Sequence, residues 1–147
     1  LIVGSGACPM TAYVLSKQFP ECKIVGLDRS ERACELSTHL LRRADSSTIS
    51  IRQADIGQVT DLTEFDSILV ALNVGGSDQE KTELIRRIKR FARPDAVLLA
   101  RTACGWSRVL YPSIDIPELN PEPAMEDGRP SYVRGVIFPM RISDLPD

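Results

Sequence analysis

The chain has 147 residues, 43% of them hydrophobic and 26% charged, which is typical of one globular domain spanning residues 1–147. Its formal net charge of −2 argues against a nucleic-acid-binding protein, because there is no basic excess to neutralise phosphates. No apolar run approaches the roughly 20 residues of a membrane span, so no membrane association is expected either.

The sequence also argues against a metal site. The candidate soft ligands are Cys8, Cys22, Cys34, Cys104 and the single histidine, His39. The cysteines form no C-x-x-C pair, whereas a zinc site needs about four clustered ligands. We therefore predict no bound metal, and reduced thiols in a cytoplasmic protein.

A short strand and a glycine turn open the chain. The apolar run Leu1–Val3 reads as the end of a buried strand, the turn Gly4–Gly6 follows, and a helix is predicted over Thr11–Phe19. A glycine turn between a parallel strand and a helix lets the backbone approach a ligand closely. Because the chain lacks an initiator Met and a strand lies so near residue 1, we expect further sequence upstream.

The second and third predicted strands both lead into acidic residues. Ile24–Leu27 is followed by Asp28, and Ile49–Gln53 by Asp55 after one intervening residue. Ser30 is a good N-cap for a helix extending to about residue 43. The face of that helix predicted to be buried consists of Ala33, Leu36, Leu40 and Leu41.

A fourth strand and a third helix follow. Phe65–Leu72 is nearly all apolar, as a strand covered on both faces should be, and Ser77 or Asp78 is predicted to cap a helix through Ala92. Its predicted inner face is Leu84, Ile85, Ile88 and Phe91. Its basic outer face is predicted to be solvated, and consists of Lys81, Arg86, Arg87, Lys89 and Arg90.

The C-terminal part of the chain is less regular. Ala96–Ala100 is predicted as the fifth strand and Tyr132–Met140 as the last one, with a frayed tail from Arg141. Residues 114–130 are rich in proline and acidic residues, which predicts an irregular excursion.

Strands that alternate with helices predict an α/β fold: a doubly wound, mostly parallel sheet with helices on both faces. Ligands of such sheets bind beyond the carboxyl ends of the strands. The residues that this rule collects into one crevice are Gly4, Ser5, Gly6, Asp28, Asp55, Asn73, Arg101 and Thr102.

The two acids of this crevice favour a nucleoside ligand. Asp28 can accept hydrogen bonds from both ribose hydroxyls, and Asp55 can accept near the adenine. The turn reads Gly-x-Gly-x-x-Pro, so Pro9 stands where dinucleotide-binding proteins have their third glycine. S-adenosylmethionine, which carries no phosphate, therefore fits better than a nicotinamide cofactor.

Two motifs resemble one enzyme family. Val3–Gly6 followed by Pro9 and Thr11, and the segment Arg101–Pro112, are similar to the nicotianamine synthases and their bacterial relatives that make opine metallophores. The second motif is the more specific, since ordinary methyltransferases do not share it. The resemblance covers about residues 1–115.

The resemblance implies a class I methyltransferase-like Rossmann fold with S-adenosylmethionine as substrate. It implies transfer of the 3-amino-3-carboxypropyl arm to a small-molecule amine or amino acid, with methylthioadenosine released. In the family an acidic residue near the acceptor lies in an upstream helical domain, and we expect that domain to lie outside these 147 residues. The acceptor's identity and the oligomeric state stay open.

Several residues have both a functional and a structural interpretation. Arg101 either binds a substrate carboxylate or forms a structural ion pair, and Tyr111 either holds the acceptor amine or packs a turn. Asn73 is a candidate contact to the amino-acid part of S-adenosylmethionine. Pro9 and Thr102 complete the predicted cofactor-binding set, while Trp106 and Arg108 are read as structural.

Two other functions remain alternatives. One is a small-molecule methyltransferase that uses S-adenosylmethionine, and the other is a non-catalytic nucleoside-binding module. The identity of the released nucleoside separates them, since methyl transfer leaves S-adenosylhomocysteine and a binding module releases nothing.

Overall fold

The computed structural model of the protein describes residues 1–103, 108–114, 125–126, 129–130 and 136–145. The chain forms two compact units, Leu1–Thr60 and Asp61–Asp147. Each unit is described in turn.

The first unit is a β-α-β-α-β arrangement. Its strands are β1 (Ile2–Val3), β2 (Ile24–Asp28) and β3 (Ile49–Gln53), which pair in parallel in the order β3-β2-β1. The helices between them are α1 (Met10–Gln18) and α2 (Glu31–Arg43). Because all three strands run in parallel, their carboxyl ends lie at one edge of this sheet, where the glycine turn and both predicted acids follow them.

Helix α2 begins as its sequence predicts but buries a different face. The Ser30 hydroxyl accepts a hydrogen bond from the Ala33 amide at 3.2 Å, which caps the helix. The side chains that it buries are Cys34, Ser37 and Leu41. The predicted burial of Leu36 and Leu40 is wrong, since they are 38% and 44% exposed. The small side chains at positions 34 and 37 face the strands, so the helix packs closely on β2 and β3.

The second unit contains a parallel pair of strands extended by an antiparallel one. These strands are β4 (Ser67–Val70), β5 (Val97–Thr102) and β8 (Val136–Arg141), with β4 and β5 parallel and β8 antiparallel to β5. Helix α3 (Asp78–Phe91) connects β4 to β5. Two-residue strands β6 (Met125–Glu126) and β7 (Arg129–Pro130) pair antiparallel within the predicted irregular segment.

Ser77 is the N-cap of α3, because its hydroxyl accepts from the Glu80 amide at 3.1 Å. The inner face of this helix includes the fully buried Ile85 and Ile88, as predicted. The assignment of Lys81 to the solvated face is wrong: its side chain is 0% exposed. Lys81 lies four residues before Ile85, one helical turn away on the same face.

The prediction of a frayed tail is wrong for the described residues 141–145, which are ordered. A 3-10 helix spans Ile142–Asp144, and Ile142 and Leu145 are 3% and 4% exposed. The Ile142 amide donates to the carbonyl of Ala96 at 2.9 Å, which anchors the tail beside the start of β5. Buried apolar side chains and this hydrogen bond hold the segment in place.

Candidate functional site

The glycine turn after β1 is built by two left-handed residues. Gly4 has φ 75° and Gly6 has φ 68°, a region that side chains with a Cβ rarely adopt. The amides of Gly4 and Ser5 both donate to the carbonyl of Leu27, at 2.8 and 3.2 Å. The turn is therefore fastened to the end of β2 rather than projecting freely.

Asp28 is the side chain that closes this turn. Its Oδ2 accepts from the Gly6 amide at 2.8 Å and its Oδ1 accepts from the Ser30 amide at 3.0 Å. Each carboxylate oxygen can accept about two hydrogen bonds, so each keeps room for a ligand hydroxyl. The carboxylate is half-buried and fixed in orientation by backbone groups alone.

The Ser5 side chain lies against β2 at Gly26. A Cβ built on Gly26 would lie 3.0 Å from both Cβ and Oγ of Ser5 and 2.8 Å from Cδ1 of Ile51. Glycine is required there for the turn to pack on the strand. The Ser5 hydroxyl is buried and has no hydrogen-bond partner among the described residues, so it is available to a ligand.

The other predicted residues of this unit have identifiable local roles. Oδ1 of Asp55 accepts from the Gly57 amide at 2.8 Å and caps a 3-10 helix over Ile56–Gln58. Its side chain is exposed, and the neighbouring Ala54 amide donates to the carbonyl of Asp28 at 3.0 Å. Pro9 is buried at the start of α1. The structure thus brings the exits of β1, β2 and β3 together.

In the second unit, a buried lysine fixes the exit of β4. The Lys81 ammonium donates to the carbonyls of Ala71 and Leu72, at 3.1 and 2.7 Å. Asn73 is the next residue along the chain and its side chain is exposed. Sequence reasoning missed Lys81, although its spacing to Ile85 and Ile88 would have placed it on the inner face.

The surroundings of Lys81 lower the pKa of its ammonium group. Burial lowers its pKa from 10.5 to about 8, with a further lowering from the positive charge of Arg101 and an opposing effect from Asp78. Two cations therefore lie near one another in this unit, at the exits of β4 and β5.

Arg101 and Thr102 end β5 in different environments. The Arg101 Nε is buried without a hydrogen-bond partner among the described residues, and no ion pair involving Arg101 is found there. Thr102 is 3% exposed, and its hydroxyl accepts from the Ile114 amide at 2.8 Å. This contact occupies one acceptor position of the Thr102 hydroxyl and leaves its cofactor role a prediction.

Residues 108–114, which contain Tyr111, are held by the first residue of α3. Oδ1 of Asp78 accepts from the Ser113 amide at 2.7 Å, while its Oδ2 accepts from the Ser113 hydroxyl at 2.7 Å and from Nη2 of Arg108 at 2.9 Å. Arg108 therefore has an ion-pair partner within the protein, and its structural role stays a prediction. The Tyr111 side chain is 38% exposed, and Trp106 lies outside the described residues.

The described part of the chain has no group of three or more His, Cys, Asp or Glu side chains arranged to hold a metal ion. Within those same residues, no helix is both long enough and apolar enough to cross a membrane.

Sequence comparison identifies similar proteins over most of the chain. A family model described as nicotianamine synthase protein matches residues 1–130. Nicotianamine synthase 9 of Hordeum vulgare is 33% identical over 121 residues, which cover 80% of this chain and 36% of the relative. Nicotianamine synthase 1 of Arabidopsis thaliana is 30% identical over 121 residues, covering 80% of this chain and 38% of the relative. The chain spans little more than a third of the length of these curated relatives.

Structural comparison gives the fold. The structure of MtNAS in complex with MTA and tNA superposes with a TM-score of 0.67 at 22% identity, covering 80% of this chain and 42% of that one. Coclaurine N-methyltransferase, bound to N-methylheliamine and SAH, has a TM-score of 0.57 at 20% identity over 68% of this chain and 28% of its own. These likenesses confirm the predicted α/β class, a methyltransferase-like Rossmann fold.

Proposed function

The chain belongs to the nicotianamine synthase family, and from that membership we propose that it forms the S-adenosylmethionine-binding part of an aminocarboxypropyl transferase. The enzyme moves the 3-amino-3-carboxypropyl arm of S-adenosylmethionine to a small-molecule amine in the synthesis of nicotianamine or a related metallophore. Methylthioadenosine is the second product.

One observation supports the nucleoside part of this proposal: the carboxylate of Asp28 accepts hydrogen bonds from the Gly6 and Ser30 amides. That geometry aims fixed acceptor oxygens beyond the end of β2, where ribose hydroxyls can donate to them. Ser5 contributes a buried hydroxyl without a partner among the described residues. Gly4, Pro9 and Asp55 complete the group that we assign to the nucleoside.

The second unit supplies groups suited to an amino-acid moiety. Arg101 has a buried donor nitrogen free of partners in the described structure, and a guanidinium pairs well with a carboxylate. We assign it to a carboxylate of the transferred arm or of the acceptor. Asn73 and Thr102 are assigned to the same end of S-adenosylmethionine, and Tyr111 to the acceptor amine.

The reaction is a displacement at carbon. The acceptor nitrogen forms a bond to the arm's carbon next to sulfur, the carbon–sulfur bond breaks, and its electron pair stays on sulfur as the sulfonium becomes a neutral thioether. The product ammonium loses one proton to a base. The protein selects the carbon that reacts by orienting the sulfonium against the nucleophile, because alignment accounts for much of the rate in such reactions.

The test is to identify the released nucleoside by mass spectrometry. The natural protein carrying this sequence is incubated with S-adenosylmethionine, with histidine and without it. Methylthioadenosine is expected, and its dependence on histidine separates an amino-acid acceptor from self-condensation of S-adenosylmethionine. S-adenosylhomocysteine would instead identify a methyltransferase. Binding of S-adenosylmethionine with no released nucleoside under either condition would identify a binding module.

A further inference from the structure

A single carboxylate at the start of α3 binds both ends of a six-residue segment, Arg108 at one end and Ser113 at the other. Asp78 accepts from Arg108 at 2.9 Å and from the amide and hydroxyl of Ser113, each at 2.7 Å. These two partners flank Tyr111 in the sequence. The carboxylate therefore closes the segment 108–113 into a loop whose outer part carries the tyrosine.

The loop is anchored at its base and exposed at its tip. Ser113 and Ile114 are 6% and 2% exposed, and the Ile114 amide donates to the buried hydroxyl of Thr102 at 2.8 Å. Val109 and Leu110, by contrast, are 76% and 77% exposed. Because these two side chains are mostly exposed, we infer that the polar contacts at the base of the loop determine the position of Tyr111.

The charge of Asp78 suits this task. The hydroxyl and amide of Ser113, followed by Arg108, hold the pKa of the Asp78 carboxyl below its usual 3.8. The carboxylate consequently stays ionised at neutral pH. A negative side chain in the first turn of a helix is also favoured by the helix dipole.

We propose that Asp78 is a positioning residue that sets the location of Tyr111 for transfer to the acceptor amine. The inference rests on the proposed function, in which Tyr111 contacts that amine. A purely structural role is the competing explanation, since the same contacts also join α3 to the exit of β5. The two explanations make different predictions for a variant that lacks Asp78 but still folds and binds S-adenosylmethionine. The positioning role predicts a lower kcat, whereas the purely structural role predicts an unchanged one.

The experiment compares Asp78→Ala, Tyr111→Phe and the double variant in the natural protein, with Glu83→Gln as the matched control. Glu83 is another acid of α3, and its ion pair with Arg86 at 2.9 Å lies on the surface. The readouts are kcat and KM for methylthioadenosine release, and hydrogen exchange of a peptide covering residues 108–114. Ser113→Ala, which removes one donor and keeps the amide, provides a milder variant that preserves the helix start.

If Asp78 positions Tyr111, Asp78→Ala lowers kcat by about 10- to 100-fold and accelerates exchange in the 108–114 peptide, while KM for S-adenosylmethionine stays near its original value. The kcat of the double variant is then no lower than that of Tyr111→Phe alone, because both substitutions abolish the same contact between Tyr111 and the acceptor amine. Ser113→Ala has a smaller effect in the same direction, and Glu83→Gln has none.

Two results overturn the inference by itself: faster exchange with unchanged kcat in Asp78→Ala, or losses that add fully in the double variant. Unchanged exchange in the 108–114 peptide overturns it as well. An original protein that releases no methylthioadenosine overturns the proposed function, and the inference falls with it. The wild-type activity thus separates the two failures.

Discussion

The amide of Gly6 and the carboxylate of Asp28, 22 positions apart in the sequence, are joined by a hydrogen bond of 2.8 Å. The bond ties the turn after β1 to the end of β2. The same carboxylate keeps room for a ligand hydroxyl, so turn geometry and ligand binding depend on one side chain.

Replacing Asp28 with Asn should weaken both the attachment of the glycine turn to β2 and the binding of S-adenosylmethionine. An asparagine offers one acceptor oxygen, so its NH₂ group faces either the Gly6 or the Ser30 amide. We expect the affinity for S-adenosylmethionine to fall roughly 10- to 100-fold, which corresponds to the loss of one charge-assisted hydrogen bond. Titration calorimetry measures the affinity, with Glu35→Gln on the exposed face of α2 as control. An unchanged affinity would remove Asp28 from the proposed nucleoside contacts.

Gly26→Ala should overpack the strand beneath the glycine turn. The added Cβ would lie 2.8 Å from Cδ1 of Ile51 and 3.0 Å from the Ser5 side chain, so we expect the free energy of unfolding to fall by about 1–3 kcal/mol. Ile51→Val removes that Cδ1 atom. The double variant should therefore be more stable than Gly26→Ala alone, although Ile51→Val by itself costs about 0.5–1.5 kcal/mol. Urea unfolding measures all three, and simple additivity of the two losses would contradict the contact.

Lys81 should make stability depend on alkaline pH. Its pKa is about 8 in the folded protein and 10.5 ordinarily, so between these values the unfolded chain holds a proton that the folded protein has released. The free energy of unfolding therefore rises with pH across that window, by at most about 3 kcal/mol relative to Lys81→Met. The neutral amine still has two hydrogens to donate to Ala71 and Leu72.

The measurement is urea unfolding of the original protein and Lys81→Met at several pH values from 7.5 to 10.5. The difference between the two isolates Lys81 from other groups that titrate in this range. Arg101 and Asp78 are the charged groups that influence the pKa of Lys81. Lys23→Met, at an exposed lysine, controls for the loss of a lysine as such. A difference that stays constant with pH would mean that Lys81 titrates normally.

Much of the local structure follows from the sequence. The third strand occupies the predicted residues Ile49–Gln53, and Ser30 caps α2, because strand alternation and capping chemistry are local. Lys81 was misassigned because its residue type suggested solvent, whereas its spacing to Ile85 put it in the core. For α2, the leucines at 36 and 40 looked like the inner face, yet the smaller Cys34 and Ser37 allow closer packing.

Long-range polar contacts such as the one between Asp78 and Ser113 could not be predicted from the sequence. Asp78 and Ser113 are 35 positions apart, and nothing in either residue's neighbourhood identifies the other as its partner. Such a pairing depends on where α3 starts relative to the exit of β5, which is a property of tertiary packing. The motif suggests candidate roles for Arg101 and Tyr111, which stay predictions, but it does not identify Asp78 as the carboxylate that binds the segment containing Tyr111.

The three described cysteines should differ in their rates of alkylation. Cys34 is buried, and burial followed by the nearby negative charge of Asp28 raises the pKa of its thiol. Its Sγ also donates to the carbonyl of Asp28 at 3.5 Å. Cys8 and Cys22 are exposed. Because the thiolate is the nucleophile, iodoacetamide at neutral pH should label Cys8 and Cys22 well before Cys34, as followed by peptide mass spectrometry. In Asp28→Asn the loss of the negative charge should reduce the difference in labelling rate between Cys34 and the two exposed cysteines. If Cys34 of the original protein is labelled as fast as Cys22, this packing of α2 on β2 is contradicted.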